Sequence, residues 1–314
     1  WAPVFIILLL GRFLYGVISI AREPARVLLI RQWILPNEIV IANALANFLW
    51  GIVGVGFVLT PVILRLLDNS WRNTLYVFGV VSLVLAVVWQ IFGKERITPE
   101  YEAQLRSQDT SPIGSIFRHR ELWLLGLGMM GIGINFSAFS TFWPSFRLDE
   151  YGMSLTASAI VMGVGGLFSS VTGIVVGILV ARKGRKRQVL LMSGVVIALT
   201  SVALLWTGSY SLLLLIFVVQ SVGWTFFPVT MTSPYEFSGI KPREVVVMVS
   251  LLYTMLWVGA FTGPILAGVV QEVSGDLRMA LTVTSLAALT MTIGGAMLPR
   301  AWDLAPAQLR PESA

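Results

Sequence analysis

The sequence has no cysteine and a single histidine, His119. The first absence excludes disulfides and thiolate metal sites, and the second leaves no histidine cluster for a metal. Charge is also scarce. Asp, Glu, Lys and Arg make up 12% of the 314 residues, about half the ~25% of an ordinary soluble domain. Period-two alternation is missing, which argues against a membrane β-barrel. There is no Gly-x-Ser-x-Gly, no Gly-x-x-x-x-Gly-Lys and no paired metal-ligand cluster, so neither hydrolase chemistry nor ATP-driven work has a motif to rest on. No signal-peptide pattern is read in the sequence, which runs from Trp1 straight into apolar residues.

What is present is apolar length. Hydrophobic residues form 56% of the chain, and the mean hydropathy is +0.82. The apolar runs predict nine helices, at about 3–33, 39–64, 72–92, 122–146, 154–180, 188–206, 210–233, 245–271 and 279–298. Each is long enough to cross about 30 Å of hydrocarbon at about 1.5 Å per residue. In lipid the backbone must satisfy its own hydrogen bonds, so an all-α integral membrane protein is expected. One long polar stretch, 93–120, reads as a linker. It divides the chain into a first bundle at 1–92 and a second at 121–299, with a tail at 300–314.

The net charge of +6 does not point to nucleic acid, because the basic residues sit in gaps between apolar runs rather than on one soluble face. Alternate gaps and the tail hold Arg22, Arg26, Arg31, Lys94, Arg96, Arg106, Arg118, Arg120, Arg182, Lys183, Arg185, Lys186, Arg187, Lys241, Arg243, Arg300 and Arg310. The intervening gaps hold Arg65, Arg72, Arg147 and Arg278, and Arg12 falls inside a helix. The positive-inside rule places the basic-rich set, the linker and the C-terminus in the cytoplasm. The run Arg182 to Arg187 therefore anchors a cytoplasmic loop.

An internal repeat is visible. Pro36 and Pro242, Arg72 and Arg278 are each 206 residues apart, and Trp50 and Trp257, Gly16 and Gly223 are each 207 apart. Repeats of this kind mark secondary transporters, whose site lies between the repeated units. The repeat leaves the fourth to sixth helices without partners, so three further helices are expected before Trp1. The chain then reads as the last nine of twelve.

At these residues the sequence resembles the major facilitator superfamily over the whole chain. Arg12-x-x-x-Gly16 with Pro24, Trp33 and Pro36 resembles the fourth helix of that family, and Gly51, Gly54, Gly56 and Pro61 its glycine-rich fifth. Trp71-Arg72 resembles the start of the sixth. Gly177-x-Leu179-x-Ala181-Arg182-x-Gly184-Arg185-Lys186 resembles the signature loop of the second half, with Ala181 where the family usually has Asp. The resemblance implies a gating role for Gly177, Arg182, Gly184, Arg185 and Lys186, with a charge latch altered by the missing carboxylate. The Pro-Arg-Glu segment before the Gly-Pro helix resembles the cyanate-permease-like branch.

Ionisable groups in membrane helices are costly and are functional candidates by default. Arg12 is either structural or, as the resemblance implies, a cavity arginine tuning coupling. Arg22 and Arg26 share a face at i and i+4 and suit an anionic substrate. Glu23 is a candidate carrier of a coupling proton, if these three lie within the helix rather than at its headgroup end. Asn135, Gln220, Trp224, Tyr253 and Trp257 are cavity candidates, with helix packing as the alternative. Gly173-x-x-x-Gly177 and Gly259-x-x-x-Gly263-Pro264 read as close helix contacts with a possible hinge.

The expected function is secondary active transport of a small, anionic solute by alternating access, coupled to protons. It would need no cofactor beyond an ion gradient, and it would operate as a monomer in the plasma membrane. An exporter of drug-like compounds and a non-transporting membrane sensor or scaffold are the alternatives.

Overall fold

The computed structural model describes residues 59–94, 117–235 and 242–303, together with Ile6, Ile7, Leu10, Gly11, Leu14, Leu29, Gly56, Gly114 and Phe237. Residues 59–66 are helical. The principal helices that follow are α1 (Trp71–Phe92), α2 (Arg120–Tyr151), α3 (Leu155–Lys183), α4 (Lys186–Trp206), α5 (Tyr210–Gly223), α6 (Phe226–Thr232), α7 (Pro242–Ser274), α8 (Leu277–Leu286) and α9 (Leu289–Met297). Among the described residues, seven spans are long and apolar enough to cross a membrane. The two apolar runs expected before residue 65 lie largely outside the described residues. So do most of the linker and Arg12, Arg22, Glu23 and Arg26.

The helix starts and stops have local causes. Ser70 accepts from Asn73 N at 3.3 Å to cap α1, and Asp276 Oδ1 accepts from Arg278 N at 2.7 Å to cap α8. Gly152 takes a left-handed φ of 62° and returns its N–H to the carbonyls of Arg147 and Leu148 at the end of α2.

Two spans differ from the uninterrupted runs read in the sequence. The 210–233 run breaks between α5 and α6, where Trp224 N and Thr225 N bond three residues back, to Ser221 O and Val222 O, each at 3.3 Å. The 279–298 run breaks between α8 and α9, where Ala287 N reaches Thr284 O at 3.3 Å and Ala288 N reaches Ser285 O at 3.2 Å. These are 3₁₀ turns inside otherwise apolar spans. The Thr172 hydroxyl of α3 lies against the first break, 3.0 Å from Ser221 O and equally 3.0 Å from Phe168 O of its own helix.

α2 is the central column. It lies along α7, α8 and α9, while α4 lies against α5, α8 and α9 and α3 against α5. Glycines allow the closest approaches. A Cβ on Gly259 would fall on the Met130 carbonyl oxygen, one on Gly263 on that of Ile134, and one on Gly133 on that of Leu256. The Gly259-x-x-x-Gly263 stripe is thus a backbone-to-backbone contact between α2 and α7. Leu122, Met129, Ile132, Ile197, Phe226, Leu252 and Met291 fill the core at one end, and Phe139, Trp143, Phe146, Leu204 and Leu213 fill it toward the other. Large apolar side chains such as Leu199, Phe261 and Val273 point outward. A bundle in hydrocarbon can present them there without cost.

Candidate functional site

The bundle holds a half-open cavity of about 260 Å³. α2 contributes Gly133, Asn135, Phe136, Phe139 and Ser140. α3 contributes Met162, Gly165, Gly166 and Ser169, and α4 contributes Ser201. Phe217, Gln220, Ser221, Trp224, Phe226 and Phe227 come from α5, α6 and the turn between them, and Tyr253, Leu256, Trp257 and Ala260 from α7. The 3₁₀ turn between α5 and α6 sets Trp224, Phe226 and Phe227 along this wall.

All five cavity candidates read from the second half of the sequence, Asn135, Gln220, Trp224, Tyr253 and Trp257, lie on this one cavity. Asn135 and Gln220 are buried, at 3% and 7% exposure. Their amides converge on a residue that sequence reading missed, Ser201. Asn135 Nδ2 donates to Ser201 Oγ at 3.2 Å and Gln220 Nε2 donates to the same oxygen at 2.8 Å. No signal along α4 marks Ser201, because its partners are on two other helices. The aromatic wall is built edge to face: Phe136 meets Trp224 at 5.5 Å and Phe227 meets Tyr253 at 5.9 Å between ring centroids. No Asp, Glu, Lys or Arg lines the cavity among the described residues. The described part can therefore bind by neutral hydrogen bonds and ring faces, not by ion pairing.

The signature loop is a tight two-residue link. Gly184 and Arg185, at φ 73° and 62°, both take the left-handed conformation between α3 and α4. Gly177 and Arg182 lie on α3, with the Arg182 side chain outside the described residues, and Lys186 is buried at the first position of α4. The loop is tied across the bundle by Arg187, whose Nε donates to Gly295 O at 3.2 Å and Nη2 to Ala296 O at 3.0 Å. A guanidinium thus meets the final carbonyls of α9, of which Gly295 O also accepts from Leu298 N at 3.4 Å.

At the opposite end, Arg147 is buried. Its Nη1 donates to Thr207 O at 2.6 Å, and its guanidinium lies 3.9 Å from the Tyr151 ring centroid. Arg278 pairs with Glu150 at 2.8 Å and lies 4.7 Å from the Trp206 ring centroid. Arg65 donates to Thr156 Oγ1 at the start of α3. Three of the four cations of the basic-poor gaps thus gather at one end of the bundle, while the Arg182–Arg187 loop closes the other.

A helical bundle of membrane-crossing length, with broken spans around a half-open polar and aromatic cavity, defines a multi-pass membrane protein of the solute-transporter kind. Residues 1–264 match the Major Facilitator Superfamily, and the chain belongs to that family, whose members are transporters rather than enzymes. It is 27% identical over 192 residues to the uncharacterized transporter YybO of Bacillus subtilis (strain 168), a match covering 55% of this chain and 43% of the relative. It is 24% identical over 131 residues to a probable L-galactonate transporter of Escherichia coli (strain K12), covering 37% of this chain and 29% of that protein. The match spans less than half the length of either relative.

Proposed function

We propose that the protein is a secondary active transporter that moves a small organic anion across the plasma membrane by alternating access, coupled to protons. The observation that carries this reading is the α2–α7 cavity, where buried amides and ring faces offer neutral recognition inside a bundle of transporter type. An anionic solute then needs its cations from the other half of the protein. The sequence supplies Arg22 and Arg26 at i and i+4, with Arg12 earlier in the same apolar run and Glu23 as the proton carrier. The name of the Escherichia coli relative, a probable L-galactonate transporter, supports a hydroxylated carboxylate as the solute. An ion gradient supplies the energy, and no cofactor takes part. The signature loop, with Arg182, Arg185 and Lys186, would lie in the cytoplasm and hold that face closed in part of the cycle. The working unit would be a monomer.

The test is counterflow and gradient-driven uptake of radiolabelled L-galactonate by the full-length protein in proteoliposomes. We expect accumulation under an inward proton gradient and its collapse with a protonophore. Arg22→Ala should reduce uptake at least about tenfold, as expected when a charge-assisted pair worth about 1.5–3 kcal/mol is lost. Absence of sugar-acid flux, or unchanged flux in Arg22→Ala, refutes the anion assignment. The aromatic lining favours a second reading, export of apolar compounds. Protein-dependent efflux of an uncharged dye without anion uptake would establish it.

A further inference from the structure

The geometry around Ser201 points beyond a generic polar cavity. Ser201 is fully buried and accepts from both Asn135 Nδ2, at 3.2 Å, and Gln220 Nε2, at 2.8 Å. A hydroxyl carries one hydrogen, so it can donate to at most one amide carbonyl. At least one of two amides facing it must therefore present N–H, whichever way each is turned. In the arrangement observed both do, and both amide oxygens are turned away from Ser201. Among the described residues no donor reaches Asn135 Oδ1 or Gln220 Oε1. The two residues line the cavity, so the oxygens are acceptors in want of a hydroxyl or amine hydrogen from within it.

We propose that Ser201 is a positioning residue that holds the Asn135 and Gln220 carbonyl oxygens toward the cavity, so that this wall selects solutes by their hydroxyl groups. The inference rests on reading the cavity as the solute site. Acceptor oxygens repel a carboxylate and welcome O–H donors, so the wall would read the hydroxylated body of a solute and leave its charged end to the other half. The ring faces of Trp224 and Phe136 beside the amides suit the C–H surface of such a body. A site built around hydroxyl hydrogen bonds discriminates strongly against an analogue without them, because its buried acceptors are then left unpaired.

The experiment separates charge from hydroxyls. The purified full-length protein is titrated calorimetrically with L-galactonate, which has both, galactitol, which has hydroxyls only, and hexanoate, which has charge only. Wild type should bind L-galactonate at least about tenfold more tightly than hexanoate, the ratio expected from one or two net hydrogen bonds. Ser201→Ala should bring the two within about threefold, which a purely structural role for the hydroxyl would not do. Ser201→Thr, which keeps the hydroxyl, should restore the preference. If Ser201→Ala does not fold, Gln220→Leu removes one of the two oxygens and should erode the same ratio.

Undiminished preference in Ser201→Ala overturns the inference and leaves the anion reading standing. Binding of galactitol but not L-galactonate, lost in Ser201→Ala, supports the inference and removes the anion reading. Equal binding of hexanoate and L-galactonate by the wild type, or no binding of any probe, overturns it.

Discussion

Arg187 shows how much the position of one charge matters. As part of a basic run it reads in the sequence only as a loop anchor. In the structure its side chain holds two helices together, through Gly295 O and Ala296 O. Its removal takes a charged donor from both carbonyls and leaves Gly295 O with the Leu298 N–H at 3.4 Å, a loss of about 1–3 kcal/mol. Arg187→Ala should therefore lower the thermal stability of the detergent-solubilised protein, and Arg187→Lys should recover only part of it, because an ammonium cannot reproduce the planar fork. Glu150→Gln is the contrasting case. The Glu150–Arg278 pair is partly exposed, at 49% and 24% for the two side chains, and such pairs contribute less than about 1 kcal/mol. Its unfolding temperature should stay close to wild type. A large drop in Glu150→Gln, or none in Arg187→Ala, would reverse this ranking. The sequence marks both arginines by their place in gaps between spans, but not which one meets carbonyls and which a carboxylate. That choice is made by helices distant in the chain.

At the scale of elements, the contact of α2 with α7 is made of backbone. Gly259 and Gly263 lie four residues apart on one face of α7, which is visible in the sequence, whereas Gly133, facing Leu256, lies in a glycine-rich stretch with nothing to single it out. Gly259→Val should push α7 off Met130 and abolish both a monodisperse protein and cavity binding. Gly268→Ala, on the same helix with nothing within 4 Å of its Cβ, should be tolerated and gain up to about 1 kcal/mol from helix propensity. Size-exclusion profiles of the two variants check this, and equal behaviour would show that the close approach is dispensable. The break between α8 and α9 has a similar origin and left no sequence signal. It falls at Ala287-Ala288, a pair with high helix propensity. A Cβ on Gly131 would meet the Ala287 carbonyl oxygen, and one on Gly194 would come within 2.7 Å of that of Ala288. Neighbouring helices thus press on the turn from both sides, and local preference yields to packing.

For the whole molecule, the repeat read from prolines, tryptophans and arginines reappears in the backbone. α1 starts at Trp71 and α8 at Leu277, 206 positions later. Their caps Ser70 and Asp276, and the preceding left-handed residues Asn69 (φ 58°) and Gly275 (φ 71°), keep the same offset. A left-handed residue followed by a capping side chain has been kept at both sites by different residue types, so the repeat is one of local geometry more than of identity. The charge alternation predicts a membrane sidedness, and the structure gathers Arg147, Glu150, Thr207 and Arg278 at one end and Arg187 with the end of α9 at the other. The absence of cysteine makes this directly testable, since each introduced thiol is the sole target in the 314-residue sequence. Ser209→Cys, exposed between α4 and α5, should react with a membrane-impermeant maleimide added outside intact cells. Lys94→Cys, exposed after α1, should react only after permeabilisation. The reverse pattern would place the basic loops outside, against the positive-inside rule. It would also move Arg182 to Arg187 to the outer face, where the loop could not act as the cytoplasmic closure proposed for it.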